Sequence, residues 1–221
     1  VNVVFYADDF IITGTSKELL ESKVIPIIES FLKERGLELN REKSKITHVE
    51  DGFNFLGHNI RWYRRGLLTK PSKANVKNFL REVRKTIKSN QTAKTEDLIK
   101  QLNPKILGWA YFFRHSAASK TFSSVDKEIY EALSRWMKKR HSNKRKTWRN
   151  TKYFRKVGNR NWQFFAKIKK EDKSTSYLDL ATASKVSIRR HIKIRGEATP
   201  YDPQFKEYFG KRDKSKNAPS G

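Results

Sequence analysis

Short apolar runs alternate with turn-forming residues over the first part of the chain, a pattern typical of strands around one helix. Residues 1–5 and 10–13 are rich in Val, Ile and Phe and predict the two strands of a hairpin. A capping box at Thr15 and Glu18 predicts the start of a helix that runs to about Arg35, where Gly36 supplies the stop. Its apolar positions share one face: Leu19, Leu20, Val24, Ile27, Ile28, Phe31 and Leu32.

Residues 44–49 and 53–62 predict a second hairpin, turned by Asp51 and Gly52. The order strand, strand, helix, strand, strand predicts an α+β layer in which one sheet is covered by helices.

Helical periodicity replaces this pattern after Gly66. A helix is predicted from Pro71-Ser72, a short one at 98–102 before Asn103-Pro104, and two more at 105–114 and 123–140. Together they predict a small helical bundle. Beyond it, "YLDLA" predicts a short strand, "KVSIRRHIKIRG" is partly strand-like, and residues 211–221 are polar enough for a flexible tail.

Charge divides the chain unevenly. The whole sequence has 49 Lys and Arg against 23 Asp and Glu, a net charge of +26. Residues 1–60 contain 7 basic and 10 acidic residues, net −3, and residues 61–221 contain 42 and 13, net +29. This asymmetry predicts chemistry in the first part and binding of a polyanion in the second.

The composition excludes several classes of protein. No stretch is apolar enough to span a bilayer, no secretory signal is visible, and the absence of cysteine excludes disulfides and cysteine-ligated zinc. We therefore expect no membrane partner and a reducing compartment, bacterial cytoplasm or organellar matrix, without secretion. The chain begins in mid-strand at Val1, and we expect it to be the C-terminal part of a longer protein.

Asp8 and Asp9 are adjacent carboxylates at the turn of the first predicted hairpin. Carboxylates at such a position suit Mg²⁺, which prefers hard oxygen ligands and is often held by one or two carboxylates plus substrate phosphates. Since neighbouring side chains of a strand point to opposite faces, the two acids are not expected to be equivalent. The alternative is a pair of solvated turn acids.

The order of motifs resembles the second half of a reverse transcriptase palm, and more narrowly the protein encoded by group II introns. "FYADDFIITG" resembles the metal-binding hairpin, "GLELNREKSKITHV" the next block, and "FNFLGHNI" the primer-grip hairpin. "LNPKILGWAYFFRHSAASKTFSSVD" resembles the maturase-specific region, and "ATPYDPQFKEYFGKR" the end of the maturase domain. The resemblance covers nearly the whole chain.

This resemblance implies an α+β fold: a palm sheet with a packed helix (1–68), a helical thumb and maturase-specific region (69–140), a small basic RNA-binding maturase region (141–210) and a tail (211–221). It implies Asp8 and Asp9 as catalytic Mg²⁺ ligands of an RNA-directed DNA polymerase, with these nucleotide or primer contacts: Tyr6, Ala7, Asn40, Lys43, Phe55, Leu56 and Gly57. The family also needs a third catalytic Asp and fingers, which these residues lack, so the chain alone is not expected to polymerise.

Basic and aromatic residues interleave over residues 143–170, a composition typical of RNA-binding surfaces. The alternative for the cations is that they form a solvated charged surface without a partner. The alternative for the aromatic residues, and for Trp109 of the maturase-specific region, is that they belong to the core. The candidate RNA-binding residues are Lys144, Arg145, Lys146, Trp148, Arg149, Lys152, Arg155, Lys156, Arg160, Arg189 and Arg190.

The resemblance implies intron RNA, target DNA, the RNA/DNA duplex and dNTPs as partners. Whether the protein forms a homodimer is left undecided by the sequence. The function it implies is binding of the intron RNA, help with splicing, and copying of RNA into DNA during retrohoming. One alternative is a splicing maturase whose polymerase is unused, which the acid pair disfavours. Another is a retron or CRISPR-associated reverse transcriptase, against which the block from Gly108 to Asp126 argues. The five histidines have no zinc-ligand spacing.

Overall fold

The computed structural model describes residues 1–217, apart from residues 65, 159, 170–173 and 190–193. The chain forms two compact units, Val1–Asn75 and Val76–Gly221. Helices and strands both contribute to the fold, which agrees with the predicted α+β class.

The first unit opens with the predicted hairpin, which is confirmed. Strands β1 (Asn2–Tyr6) and β2 (Asp9–Thr13) pair antiparallel, from Asn2 opposite Thr13 to Tyr6 opposite Asp9. This register leaves Ala7 and Asp8 as a two-residue turn, in which Ala7 takes a left-handed φ of 50°. Such turns match the twist of the strands that they join.

The predicted helix follows as three consecutive segments, α1 (Lys17–Leu19), a π-helical turn (Leu20–Val24) and α2 (Ile25–Lys33). Ser16, not Thr15, is the N-cap, because its Oγ accepts the backbone N–H of Leu19 at 3.2 Å. Pro26 lacks an N–H and its ring crowds the preceding turn, which explains the wider π-helical hydrogen bonding there. Gly36, at φ 69°, ends the helix as predicted.

The second sheet differs from the predicted hairpin. Strands β3 (Phe53–Phe55), β4 (His58–Tyr63) and β5 (Gly66–Pro71) form an antiparallel sheet in the order β3-β4-β5. Residues 44–49 are not a strand and contribute one hydrogen bond to it, from the Trp62 N–H to the Val49 carbonyl at 2.9 Å. The hairpin turn is Leu56-Gly57, whereas Asp51-Gly52 leads into β3.

A single sheet in the first unit was the wrong expectation. Among the described residues, β1 and β2 hydrogen-bond only to each other, and β3–β5 form a sheet of their own. The apolar residues of β1 are correspondingly exposed, Phe5 to 72%. Of the described residues in this unit, Pro71 and Ser72 alone are buried.

Three long helices follow, α3 (Lys73–Ser89), α4 (Thr95–Phe113) and α5 (Ser119–Arg140). Two helices separated at Pro104 were predicted, but α4 continues through that proline. The missing hydrogen bond is tolerated because Leu102 and Ile106, on either side of Pro104, are completely buried and tie both halves of the helix to the core.

The chain then forms α6 (Lys146–Tyr153) and a second three-stranded antiparallel sheet of β6 (Phe154–Val157), β7 (Arg160–Lys169) and β8 (Thr175–Asp179). β8 confirms the strand predicted at "YLDLA". The described part of "KVSIRRHIKIRG" contains no strand. Helix α7 (Lys206–Asn217) extends into the segment that was expected to be a flexible tail.

The buried core lies in the second unit. It joins the inner faces of α3, α4 and α5 to the sheet β6-β7-β8, and its fully buried members include Leu98, Leu102, Ile106, Phe113, Phe122 and Val125. Among the described residues, no helix is both long and apolar enough to cross a membrane.

Candidate active-site hairpin and nucleic-acid interface

Asp8 and Asp9 occupy different positions on the first hairpin, because one lies in the turn and the other in a strand. Asp8 lies in the turn and Asp9 is the first residue of β2, opposite Tyr6. Both side chains are exposed, and among the described residues neither forms an ion pair. Two solvent-facing carboxylates are donors that suit Mg²⁺ bound together with substrate phosphates. Within the described part of the chain, no third acidic or histidine side chain joins them in a metal-binding group.

Backbone geometry fixes the tip of this hairpin. Tyr6 is 62% exposed and Ala7 adopts the left-handed conformation, which is uncommon for a residue with a Cβ. The rings of Phe5 and Phe10 meet across the strands at 6.0 Å. The acids are therefore held by paired strands and an aromatic contact, and no described residue of either strand is buried.

Asn40 and Lys43 share one turn. The Asn40 Oδ1 accepts the backbone N–H of Lys43 at 3.0 Å, and its carbonyl accepts that of Ser44 at 2.9 Å. The Asn40 side chain thus shapes the turn, while the Lys43 ammonium is exposed.

Leu56 and Gly57 form the turn between β3 and β4. Both have positive φ, 47° and 78°, which is the backbone of a type I′ hairpin turn. Phe55 and His58 close it as the last strand pair, and the Ser72 N–H donates to the Gly57 carbonyl at 2.9 Å. The predicted nucleotide and primer contacts therefore lie on three separate local structures of the first unit.

The candidate RNA-binding residues are mostly exposed. Residues 132–170 contain 15 Lys and Arg and no Asp or Glu. Among the candidate residues, the exposed cations are Lys144, Arg145, Lys146, Lys152 and Lys156. A surface of one sign repels itself unless an anion neutralises it.

Arg149 and Arg155, two of the predicted cations, donate hydrogen bonds inside the protein. Arg155 donates to both carboxylate oxygens of Asp179, at 3.0 and 2.7 Å. Arg149 donates from Nη1 to the carbonyls of His141 and Lys144, at 3.2 and 2.6 Å. Both arginines hold local structure in this state.

The other three predicted arginines are described only in part or not at all. Arg189 is half-buried, and its backbone N–H donates to the Arg114 carbonyl at 2.9 Å. Arg160 begins β7, but its side chain lies outside the described part of the structure, as does the whole of Arg190.

Burial sorts the aromatic residues into two groups. Tyr153, Phe154, Phe164 and Phe165 are at most 6% exposed and belong to the core, whereas Trp148 and Trp162 are 40% and 56% exposed. In the maturase-specific stretch, Trp109 stacks on Phe79 at 4.7 Å within the core. Tyr111 and Phe112 are 51% and 58% exposed.

His141 lies among the cations around Trp148. Burial lowers its pKa below the ordinary 6.5, and Lys152, Arg140, Arg149 and Lys144 lower it further because a second positive charge is unfavourable there. The ring Nε2 lies 2.8 Å from the hydroxyl of Tyr153, whose own pKa is raised by burial.

Two polar side chains with structural roles were not recognised from the sequence. Asn103 accepts the Ala181 N–H at 2.7 Å and donates to the Asp179 carbonyl at 3.0 Å. Asp126 accepts the N–H groups of Ala183 and Ser184. Both residues lie in the block that resembles the maturase-specific region, but that resemblance assigned neither of them a structural role.

Comparison with known proteins gives two family matches. Residues 1–60 match the family model for reverse transcriptase (RNA-dependent DNA polymerase), and residues 76–154 match that for the group II intron maturase-specific domain. A stretch of 59 residues is 42% identical to protein YkfC of Escherichia coli (strain K12). It covers 25% of this chain and 15% of that protein, so the chain spans a small part of that relative.

Proposed function

The chain belongs to the group II intron reverse transcriptase/maturase family, and we propose that it contributes the end of the palm, the thumb and the maturase region of such a protein. In this proposal the protein binds its intron RNA, assists splicing, and copies RNA into DNA by Mg²⁺-dependent nucleotidyl transfer during retrohoming. The DNA target, the RNA/DNA duplex and dNTPs are its further partners.

The observation that supports this proposal most strongly is the order of two kinds of surface. An exposed acid pair, Asp8 and Asp9, lies in the segment that matches reverse transcriptases. A stretch free of acids begins at residue 132, in the segment that matches maturases, and runs to residue 170. Nucleotidyl transfer needs carboxylates that hold metal ions, and neutralisation of RNA phosphates needs a surface of cations without acids.

The residues of the first unit have distinct parts in the proposed polymerase. Asp8 and Asp9 would hold Mg²⁺, which when bound offsets charge on the reacting phosphates. The exposed Lys43 ammonium attracts the triphosphate or the primer backbone, since it is a cation on a turn fixed by Asn40. The turn formed by Leu56 and Gly57 positions the primer 3′ end.

The proposed domains are the palm end at 1–68, the thumb and maturase-specific region at 69–140, and the basic maturase region at 141–210. The core of α3, α4 and α5 gives the second of these a rigid body. The exposed cations at and around α6 give the third its affinity for RNA.

Two assays on the intact protein test the proposal. The first measures splicing of the intron precursor RNA, and the second measures incorporation of dNTPs on an RNA template with Mg²⁺. Activity in both supports a working reverse transcriptase and maturase. Splicing without incorporation supports the second candidate, a maturase with an unused polymerase, and loss of both contradicts the family function.

A further inference from the structure

The Trp148 indole has two ammonium groups over it and a histidine against it. Lys144 Nζ lies 5.5 Å and Lys152 Nζ 4.8 Å from the ring centroid, and the two lysines flank the tryptophan at equal spacing along the chain. The His141 ring meets the indole at 5.0 Å and 76°. Although the ring makes these contacts, 40% of the side chain is exposed.

The contact with His141 connects this exposed ring to the core. His141 Nε2 is 2.8 Å from the hydroxyl of Tyr153, which is 3% exposed and stacks on Phe164 at 5.9 Å and 6°. The indole therefore packs against a half-buried histidine that is itself anchored to the core, and this contact helps to orient the ring for stacking. Trp162, the other exposed tryptophan of this stretch, has no ammonium over its ring among the described residues.

The interaction free energies favour replacement of the two ammonium groups by a nucleobase on the Trp148 ring. Two exposed cation–π contacts are together worth about 1–2 kcal/mol, and stacking of a base on an aromatic side chain is worth about 1–3 kcal/mol. The displaced ammonium groups gain phosphates, which are stronger partners than a ring. A nucleotide offers both groups at once, whereas a simple anion offers only the second.

We propose that Trp148 is a stacking site for one unpaired RNA base, with Lys144 and Lys152 binding the phosphates on either side of that nucleotide. The inference rests on the proposed RNA-binding function and specifies its substrate as single-stranded segments of the RNA. In an A-form duplex the base faces are stacked on one another and unavailable, so duplex RNA can contact the lysines but not the ring.

Binding of two labelled RNA probes by the full 221-residue chain tests this site. One probe is a short oligo(A) strand and the other a blunt RNA duplex of the same length. Trp148→Leu keeps an apolar side chain but removes the stacking face, so oligo(A) affinity should fall about 5- to 150-fold while duplex affinity stays unchanged. Trp148→Phe, which retains a smaller ring, should recover part of the affinity.

Salt dependence separates stacking from phosphate binding. Trp148→Leu should lower oligo(A) affinity equally at all salt concentrations, because both lysines still bind phosphate. Lys144→Gln with Lys152→Gln should instead flatten the slope of log affinity against log salt, by about 0.7 for each lysine. Trp162→Leu is the matched control and should leave affinity for oligo(A) unchanged.

Several outcomes would overturn the inference. They are an unchanged oligo(A) affinity in both Trp148 variants, an equal decrease for oligo(A) and duplex, or an equal decrease in Trp162→Leu. If the chain binds both probes and Trp148→Leu has no effect, the stacking site alone fails. If it binds neither probe, the proposed RNA-binding function fails with it.

Discussion

The Asp126 carboxylate on α5 accepts the backbone N–H of Ala183 at 2.7 Å and that of Ser184 at 3.1 Å. Ala183 is completely buried, so its N–H group has no access to water in the folded state. Asp126 therefore fixes the turn at Ala183–Lys185 to the helical core.

Removal of this carboxylate should destabilise the protein. We expect Asp126→Ala to lower the free energy of unfolding by about 1–3 kcal/mol, because a buried donor loses its acceptor, and Asp126→Asn to cost less because it retains one oxygen. Urea unfolding should show a lower midpoint at an unchanged slope. Glu131→Ala, which breaks only a surface ion pair to Arg135, is the control and should change stability by less than about 1 kcal/mol. Equal stability of Asp126→Ala and wild type would contradict this role.

Neutralising the cations before α6 should weaken RNA binding. The triple change of Lys144, Arg145 and Lys146 to Gln should lower affinity and reduce the salt slope by about 0.7–0.9 for each phosphate that the variant no longer neutralises. The same change at Lys17, Lys23 and Lys33, exposed residues of the first unit, removes equal charge and should leave the slope unchanged. A slope that stays constant in the first variant would mean that these three residues do not bind phosphate.

A substitution next to Arg155 should raise the affinity for RNA instead of lowering it. Its guanidinium is paired with Asp179 on both oxygens, and each side chain is about a third exposed, at 31% and 30%. Asp179→Asn should remove the negative charge that neutralises the guanidinium and weaken the pairing, so RNA affinity should rise and its salt dependence should steepen, while stability falls by at most about 1 kcal/mol. RNA affinity that falls in this variant would mean that the pair, and not the free arginine, forms the binding surface.

Stability should decrease as the solution becomes more acidic than the ordinary histidine pKa. The pKa of His141 is lowered in the folded state by burial and by the neighbouring cations, so below 6.5 the unfolded chain binds a proton that the folded chain resists. Stability is therefore retained above 6.5 and lost as the pH falls from 6.5 toward the lowered value. Urea titrations of wild type and His141→Gln check this, and the decrease should be smaller in the variant. An identical pH profile in both would contradict the assignment.

The long helices were predictable because their signal is local. Val125, Ile129, Leu133 and Met137 recur every four residues and are all buried on α5. Pro104 was misread because a proline usually ends a helix, whereas tertiary burial on both sides of it decides here.

Sheet organisation was less predictable. Residues 44–49 have an apolar pattern but form no strand. Strand formation requires hydrogen bonding to the edge of a neighbouring strand, and the local sequence does not indicate which edges meet in the fold. The type I′ turn at Leu56-Gly57 was missed for a related reason. Leu56 adopts positive φ although leucine rarely does, while the Asp-Gly pair gave the stronger turn signal.

Composition alone identified the basic surface but could not assign roles within it. Lys and Arg are equally suited to phosphates and to internal acceptors, so the pairing of Arg155 with Asp179 required the fold. The same is true of the aromatics, among which the structure separates exposed Trp148 from buried Tyr153 on the same helix.

We propose that acid-pair chemistry and RNA binding reside in different parts of one protein. Asp8→Ala in the intact protein, assayed for primer extension and for intron splicing, tests it most directly, with Asp51→Ala as the control for removal of an exposed acid in the same unit. We predict that Asp8→Ala abolishes primer extension while splicing stays close to wild type, and that Asp51→Ala changes neither. An equal decrease of extension and splicing in Asp8→Ala, or primer extension that survives this substitution, would mean that the two functions are not separated in this way.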